Sequence, residues 1–261
     1  MQVVISPTKE DATELAAKII ADRIRNFPDS TLGLATGVTM ERLYDVLVRM
    51  HKQEGLDFSL VRTFNLDEYI GLLPENKHSY RYYMNERLFK RINIDIRNTF
   101  LPNGMAQDLK LECQKYEKKI KDVGGIDLQL LGIGKAGHIG FNEPLSALRS
   151  RTRDKSLTPV TIAQNSPLFD KPEDMPKRAL TMGIGTILEA KQLLMLVTGR
   201  SKAEILSKAV EGPITSMISA SAIQLHEHCV VVVDEDAAEC LQGKDYYHWI
   251  FQNEPEWEKY R

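Results

Sequence analysis

Short runs of Val, Leu and Ile, each about one strand long, alternate with longer amphipathic stretches from end to end of the chain. Val3 to Ser6 precedes EDATELAAKIIADRI, Leu32 to Thr36 precedes MERLYDVLVRMHKQ, LLMLVTG precedes SKAEILSKAVEG, and CVVVVD is the last such run. In the long stretches apolar residues recur at helical spacing until a breaker such as Pro28, whereas the short runs are apolar at successive positions, as in strands covered on both faces. This alternation is the signature of βαβ units. It predicts an α/β fold: a single Rossmann-like domain over residues 1–261, with a mostly parallel central sheet flanked by helices. VRTFNL, DLQLLGI and ALTMGI read as further strands, SYRYYMNERLFKRI and LKLECQKYEKKIKDV as helices, and Gly134 to about Arg153 as irregular. No Pro/Gly/Ser-rich tract, low-complexity run or internal repeat divides the chain. The aromatic tail YYHWIFQNEPEWEKY reads as a segment docked on the body or on a neighbouring subunit.

Composition excludes several classes. With 34 Lys and Arg against 36 Asp and Glu, the net charge of −2 gives no global attraction for nucleic acid or an anionic membrane, so any anion site is local. Cys113, Cys229 and Cys240 are too few and too scattered for a disulfide framework or a C-x-x-C metal site, which fits a reducing compartment. The N-terminal MQVVISPTKEDATEL lacks the apolar run of a signal peptide or a membrane span, and the expected location is the cytoplasm. His226-Glu-His228 lacks the H-E-x-x-H spacing, so no metal is expected.

In open α/β sheets ligands bind outside the carboxyl ends of the strands. Four such transitions carry polar residues. LGLATGVT turns on small residues into a helix whose first amides lack internal partners, which suits a phosphate, with Thr36 and Thr39 as hydroxyl donors; it lacks the Walker spacing. A Thr-Gly turn that merely caps a helix would look the same. FNLDEY places Asp67 and Glu68 side by side at a strand end, where they face opposite ways, one free to act as a base and the other to hold a neighbouring group, unless both are solvated. LLGIGKAGHIGFNEP formally contains G-x-G-x-x-G in Gly132, Gly134 and Gly137, but Gly140 and Pro144 break the helix that a dinucleotide site needs. His138 and Glu143 there form a candidate proton-transfer pair, a satisfied structural histidine being the alternative. Finally, VTGRSKA puts Lys202 near a helix start, where its charge opposes the helix dipole unless an anion lies between them.

Taken together, LGLATG, FNLDEYIGL, GHIGFNEP, SRTRDKSLT, ALTMGIGTIL and GRSKA resemble, in order and spacing, the glucosamine-6-phosphate deaminase family over nearly the whole chain. The resemblance implies a sheet of the kind shared with sugar-phosphate isomerases and phosphogluconolactonases, and conversion of glucosamine 6-phosphate to fructose 6-phosphate and ammonia with no cofactor. It implies Asp67 as the proton-shuttling acid, His138 as the ring-opening acid/base and Glu143 as its supporting carboxylate. Thr36, Gly37, Thr39 and Lys202 match its phosphate-holding positions. Ala136 stands where many members have Asp, Pro167 where Arg commonly contacts the phosphate, and Val38 where Gly or Ser is usual. Those departures leave three alternatives: a sugar-phosphate-binding paralogue without turnover, an enzyme of galactosamine 6-phosphate, or a sugar-phosphate lactonase.

A basic segment, Ser146 to Lys155, follows the histidine loop, and in extended form Arg153 and Lys155 would share one side; a solvated basic stretch is the plainer reading. By resemblance, Ser146, Arg153 and Lys155 match the effector site for N-acetylglucosamine 6-phosphate in the family's regulated members, which are hexameric. A homo-oligomer is therefore expected.

Overall fold

The computed structural model describes all 261 residues, Met1–Arg261. In chain order the regular elements are β1 (Gln2–Ser6), α1 (Lys9–Asn26), β2 (Thr31–Leu34), α2 (Val38–Glu54), β3 (Arg62–Asn65), β4 (Asp67–Tyr69), α3 (Tyr80–Arg87), β5 (Thr99–Phe100) and α4 (Leu109–Asp122). They continue as β6 (Leu128–Leu131), β7 (Arg153–Ser156), α5 (Pro159–Asn165), β8 (Arg178–Thr181), α6 (Ile184–Leu188), β9 (Leu193–Val197), α7 (Ala203–Val210), β10 (Cys229–Asp234) and α8 (Lys244–Asn253).

Seven strands form one sheet in the order β1-β10-β9-β6-β2-β3-β5, and every pairing in it is parallel. Its strands are apolar at successive positions because both faces are covered: all residues of β2, β6, β9 and β10 are buried. The helices bury one stripe each. In α2, Met40, Leu43, Tyr44, Leu47, Val48 and Met50 are buried, at the i, i+3, i+4 spacing that fixes a helix against a sheet. Gly55, left-handed at φ 70°, ends it. One cluster of 58 buried apolar residues forms the core.

A second, three-stranded antiparallel sheet, β4-β8-β7, sits beside the first. The sequence reading names ALTMGI as a strand, which β8 bears out, but gives no second sheet, and it places Arg153 at the end of an irregular stretch. β7 reads Arg-Asp-Lys-Ser and is only partly buried, so no apolar pattern marks it; pairing with β8 (Arg153 to Thr181, Lys155 to Ala179) supplies its order. Several predicted elements are also shorter. The strand expected to run through Thr36 ends at Leu34, DLQLLGI ends at Leu131, LLMLVTG ends at Val197, and α3 stops at Arg87, since Leu88 (φ −137°, ψ −62°) leaves helical geometry. Ala35, Thr36, Gly132, Ile133 and Thr198, beyond those strand ends, line the cleft described below.

The aromatic tail forms α8 and a final 3-10 turn, Pro255–Tyr260. It is docked on the protein's own body: Trp257 is buried against Phe251 and Tyr260, and the Tyr260 hydroxyl donates to Asp22 on α1 at 2.8 Å. No helix is long and apolar enough to cross a membrane.

Candidate active site

The carboxyl ends of β2, β3, β6 and β9 open into one cleft of about 1100 Å³. Its lining includes Thr36, Gly37 and Thr39 after β2, Asp67 after β3, Gly134, Lys135 and His138 after β6, and Thr198 and Lys202 after β9. The four transitions singled out from the sequence therefore converge, as the sheet order requires: β6, β2 and β3 are neighbours, with β9 next to β6.

After β2, Gly37 takes φ 125°, a left-handed value that a side chain would resist, and serves as N-cap of α2. Its carbonyl accepts from the amides of Met40 (3.0 Å) and Glu41 (3.2 Å), the first of α2 to find partners inside the chain. The amides before them, at the start of a 17-residue helix, belong to Val38 and Thr39, which line the cleft.

Asp67 and Glu68 begin β4 and face opposite ways, with different fates. Asp67 lies in the cleft, and a methyl group built on Gly140 would come within 3.4 Å of its Oδ2. It is buried without a cation: desolvation, then the charge of Glu68, push its carboxyl up to about 8. Glu68 is turned inward. Its Oε1 accepts from the amides of Tyr69 (2.8 Å) and Tyr80 (2.9 Å), and its Oε2 from that of Arg81 (2.9 Å), so it fastens the start of α3. Burial raises the Glu68 carboxyl, and these three donors offset part of the rise.

His138 lies over Gly134 so closely that a Cβ there would meet its Nε2 at 2.1 Å. Its Nδ1 is 3.4 Å from Oε2 of Glu143. The other Glu143 oxygen accepts from the Thr158 amide at 3.0 Å. Burial acts to raise the Glu143 carboxyl, but hydrogen bonds from His138, Thr161 and Thr158 and the imidazole's charge prevail, holding it down at about 2. The irregular backbone here is needed: Gly137 and Gly140 both have positive φ, and Asn142, fully buried, donates to the carbonyls of Ile139 (2.9 Å) and Met182 (2.8 Å).

The Lys202 ammonium donates to the Ile133 carbonyl at 2.8 Å. Burial, then the nearby charge of Lys135, lower its pKa. Lys202 closes a 3-10 turn, Arg200–Lys202, and directly precedes α7, so the predicted helix starts at Ala203 and the cation stands at its head. Ala136 lies in the histidine loop, two residues before His138. Val38 is 71% exposed, and Pro167 belongs to a 3-10 turn, Ser166–Leu168, after α5.

Away from the cleft, Arg153 is half-buried and donates to Asn142 (3.0 Å) and to the Ser146 hydroxyl (2.9 Å). Lys155 lies two residues further along β7, on the same face. Ser146 and Arg153 are thus in contact. His226 and His228 hold no metal set: the His226 ring contacts the Ala190 carbonyl, and the His228 amide donates to His226 Nδ1.

Sequence reasoning missed Lys135 and a group of tyrosines. The Tyr83 hydroxyl donates to the Gly37 carbonyl at 2.8 Å, and the Tyr44 hydroxyl donates to the Ala35 carbonyl at 2.5 Å. The only signal for Tyr83 is the density of tyrosines in SYRYYM, and nothing local marks Tyr44.

A parallel sheet whose carboxyl edge carries a Thr-Gly turn capping a helix, a desolvated carboxyl and a histidine–glutamate pair is that of a Rossmann-like protein of the sugar-phosphate isomerase and lactonase class. Residues 7–232 match the family described as glucosamine-6-phosphate isomerases/6-phosphogluconolactonase, and the chain belongs to that family. A Shewanella halifaxensis protein named glucosamine-6-phosphate deaminase is 50% identical over 250 residues, spanning 96% of this chain and 95% of its own. A Clostridium perfringens protein of the same name is 46% identical over 242 residues, spanning 93% of this chain and 100% of its own. Among solved structures, a monomeric glucosamine-6-phosphate deaminase superposes with a TM-score of 0.90 at 45% identity, over 92% of this chain and 100% of its own. The 6-phosphogluconolactonase of Trypanosoma cruzi reaches a TM-score of 0.73 at 18% identity, over 92% of this chain and 97% of its own, a likeness of fold alone.

Proposed function

We propose that this chain converts glucosamine 6-phosphate and water to fructose 6-phosphate and ammonia. The observation that carries the reading is Asp67, a carboxyl pushed up to about 8 by burial, lying in the same cleft as an anion turn and a histidine. A base with a pKa near the working pH is suited to taking a proton from carbon and returning it.

The phosphate docks on the turn Thr36-Gly37-Val38-Thr39, with Lys202 supplying charge. His138 moves a proton between the anomeric hydroxyl and the ring oxygen, opening the pyranose to the aldehyde, and Glu143 balances the imidazolium formed on the way. Asp67 then removes the C2 proton. The electron pair forms the C1–C2 double bond of an enolamine while the carbonyl oxygen takes a proton from the neighbouring ammonium. Return of a proton to C1 leaves an iminium at C2. Water adds there, the C2–N bond breaks with its pair going to nitrogen, and ammonia leaves behind the ketone. None of these steps calls for a metal or an organic cofactor.

Relatives at 46–50% identity named as deaminases favour this reading over lactone hydrolysis, since the lactonase structures are similar at below 20% identity. The test is a coupled assay for fructose 6-phosphate and ammonia with glucosamine 6-phosphate, galactosamine 6-phosphate and 6-phosphogluconolactone. Ammonia with fructose 6-phosphate from the first substrate supports the proposal. Turnover of the lactone alone, or binding without turnover, overturns it.

The regulatory part concerns Ser146, Arg153 and Lys155, read as a site for N-acetylglucosamine 6-phosphate in a homo-oligomer, a hexamer by resemblance. The contact of Arg153 with Ser146 supports it, and the solved relative described as monomeric bears the other way. A sigmoidal saturation curve made hyperbolic by the acetylated sugar, together with an oligomeric mass in solution, is the expected result; a monomer indifferent to it would remove this part. The cytoplasm is the compartment that three free thiols favour.

A further inference from the structure

The anion turn is held by the side chains around it. Three phenols pin three successive residues: the Tyr44 hydroxyl donates to the Ala35 carbonyl, the Tyr80 hydroxyl lies beside the Thr36 side chain, and the Tyr83 hydroxyl donates to the Gly37 carbonyl at 2.8 Å. The Tyr44 and Tyr83 rings meet edge to face, 6.4 Å between centroids, so each stiffens the other. Tyr80 and Tyr83 are one turn apart on α3, and Glu68 fastens the start of that helix by accepting the Tyr80 and Arg81 amides.

We propose that Tyr83 is a positioning residue for the substrate phosphate, and that Glu68, through α3, fixes the distance between the phosphate turn and the base Asp67. This rests on the reading of the chain as an enzyme of an amino-sugar phosphate. In a trans peptide the carbonyl and the N–H point in opposite directions. Carbonyls held at Ala35 and Gly37 by phenols therefore fix the planes of the two peptides that follow, and with them the directions of the Thr36 and Val38 amides, both on residues that line the cleft. Without the Tyr83 bond, the Gly37 carbonyl keeps only the amides of Met40 and Glu41, at 3.0 and 3.2 Å, at a glycine whose φ of 125° has no side chain to restrict it. The same helix links the two ends of the reaction. Glu68 is adjacent to Asp67, so one buried carboxylate ties the base to the element that holds the phosphate. A sugar phosphate has a fixed separation between its C2 hydrogen and its phosphate, so small errors in that distance are costly to rate.

The decisive variant is Tyr83→Phe, which keeps the ring and removes only the hydroxyl. The phosphate probe is inorganic phosphate, titrated by calorimetry without any turnover. Its dissociation constant is expected to rise about fivefold, KM for glucosamine 6-phosphate to rise by a similar factor, and kcat to stay within about twofold with an unchanged pH profile. Glu68→Gln is expected to raise KM and lower kcat together, since both ends of the site move. Tyr246→Phe, an exposed tyrosine on α8, is expected to change neither. Unchanged phosphate affinity in Tyr83→Phe, or in Glu68→Gln a lowered kcat with phosphate affinity intact, would overturn the proposal. Weakened phosphate binding in a protein that never releases ammonia would leave the proposal standing and remove the catalytic reading instead.

Discussion

Nδ1 of His138 and Oε2 of Glu143 face each other at 3.4 Å, both residues buried. The pair is closed on its own side and leaves the other ring nitrogen toward Gly134, at the cleft. A carboxylate held down at about 2 stays charged throughout the physiological range, so it stands ready to offset a proton on the ring. His138→Gln is expected to remove the enzyme's acceleration of anomer exchange in glucosamine 6-phosphate, read by exchange NMR, and to slow turnover roughly a hundredfold. Glu143→Gln is expected to act in the same direction by roughly tenfold. Anomer exchange at the wild-type rate in His138→Gln would remove the ring-opening role.

Asp67→Asn separates the two proton transfers. The amide keeps the shape of the carboxyl but cannot accept the C2 proton, so ammonia release is expected to fall by roughly a hundredfold or more. Phosphate affinity and anomer exchange should be retained. Incorporation of solvent deuterium into the product is the direct measurement, and near-normal incorporation would take Asp67 out of the reaction.

The pH dependence follows from the same carboxyl. Asp67 must be ionised to act as a base, and burial holds it at about 8 in the free protein, so kcat/KM is expected to climb tenfold per pH unit up to that point. A bound substrate carries an ammonium beside the carboxylate, which favours the charged form, so the limb in kcat should lie at lower pH than the limb in kcat/KM. Stability runs the other way. The folded-state pKa is raised above the unfolded value of about 3.9, so the stabilisation is full below that value and is lost as pH rises through about 8. The melting temperature of Asp67→Asn relative to wild type is expected to rise between those limits and then level off. A constant difference across that window would contradict the raised pKa.

Ala136→Asp places a second carboxylate two residues from His138, where the chain has only a methyl group. A nearby negative charge favours the imidazolium. Turnover is expected to rise or its optimum to move to higher pH, and an unchanged rate profile would mean that the site is built around alanine.

Trp257→Ala tests the tail. Trp257 is buried and packs on Phe251 and Tyr260, so truncation is expected to cost about 3 kcal/mol in denaturant titration. Turnover per folded molecule should be unchanged, since no residue of the tail lines the cleft.

What could be read from the sequence is what repeats or turns. The parallel strands carry unbroken apolar runs, and the strand ends carry glycine and paired polar residues, so Thr36, Asp67, His138 and Lys202 can be placed at one edge without coordinates. The opposed directions of Asp67 and Glu68 follow from strand geometry alone, and that is how they lie. The antiparallel β4-β8-β7 sheet was illegible because Arg153–Ser156 has no apolar face; its order comes from β8, more than twenty residues away in sequence. The Tyr83 bond to Gly37 was equally hidden, since a phenol at the end of a helical side chain reaches a carbonyl 46 residues earlier, a contact that no local pattern encodes.

The strand order also bears on how the chain is made. β1 lies at the edge of the sheet and pairs only with β10, Val3 opposite Val231 and Ile5 opposite Val233. On a ribosome the first strand therefore waits for the tenth before it can join the sheet, roughly 10–50 s at ordinary rates of translation. Through that interval an apolar segment without its sheet partner is carried on the nascent polypeptide, a natural target for holding chaperones.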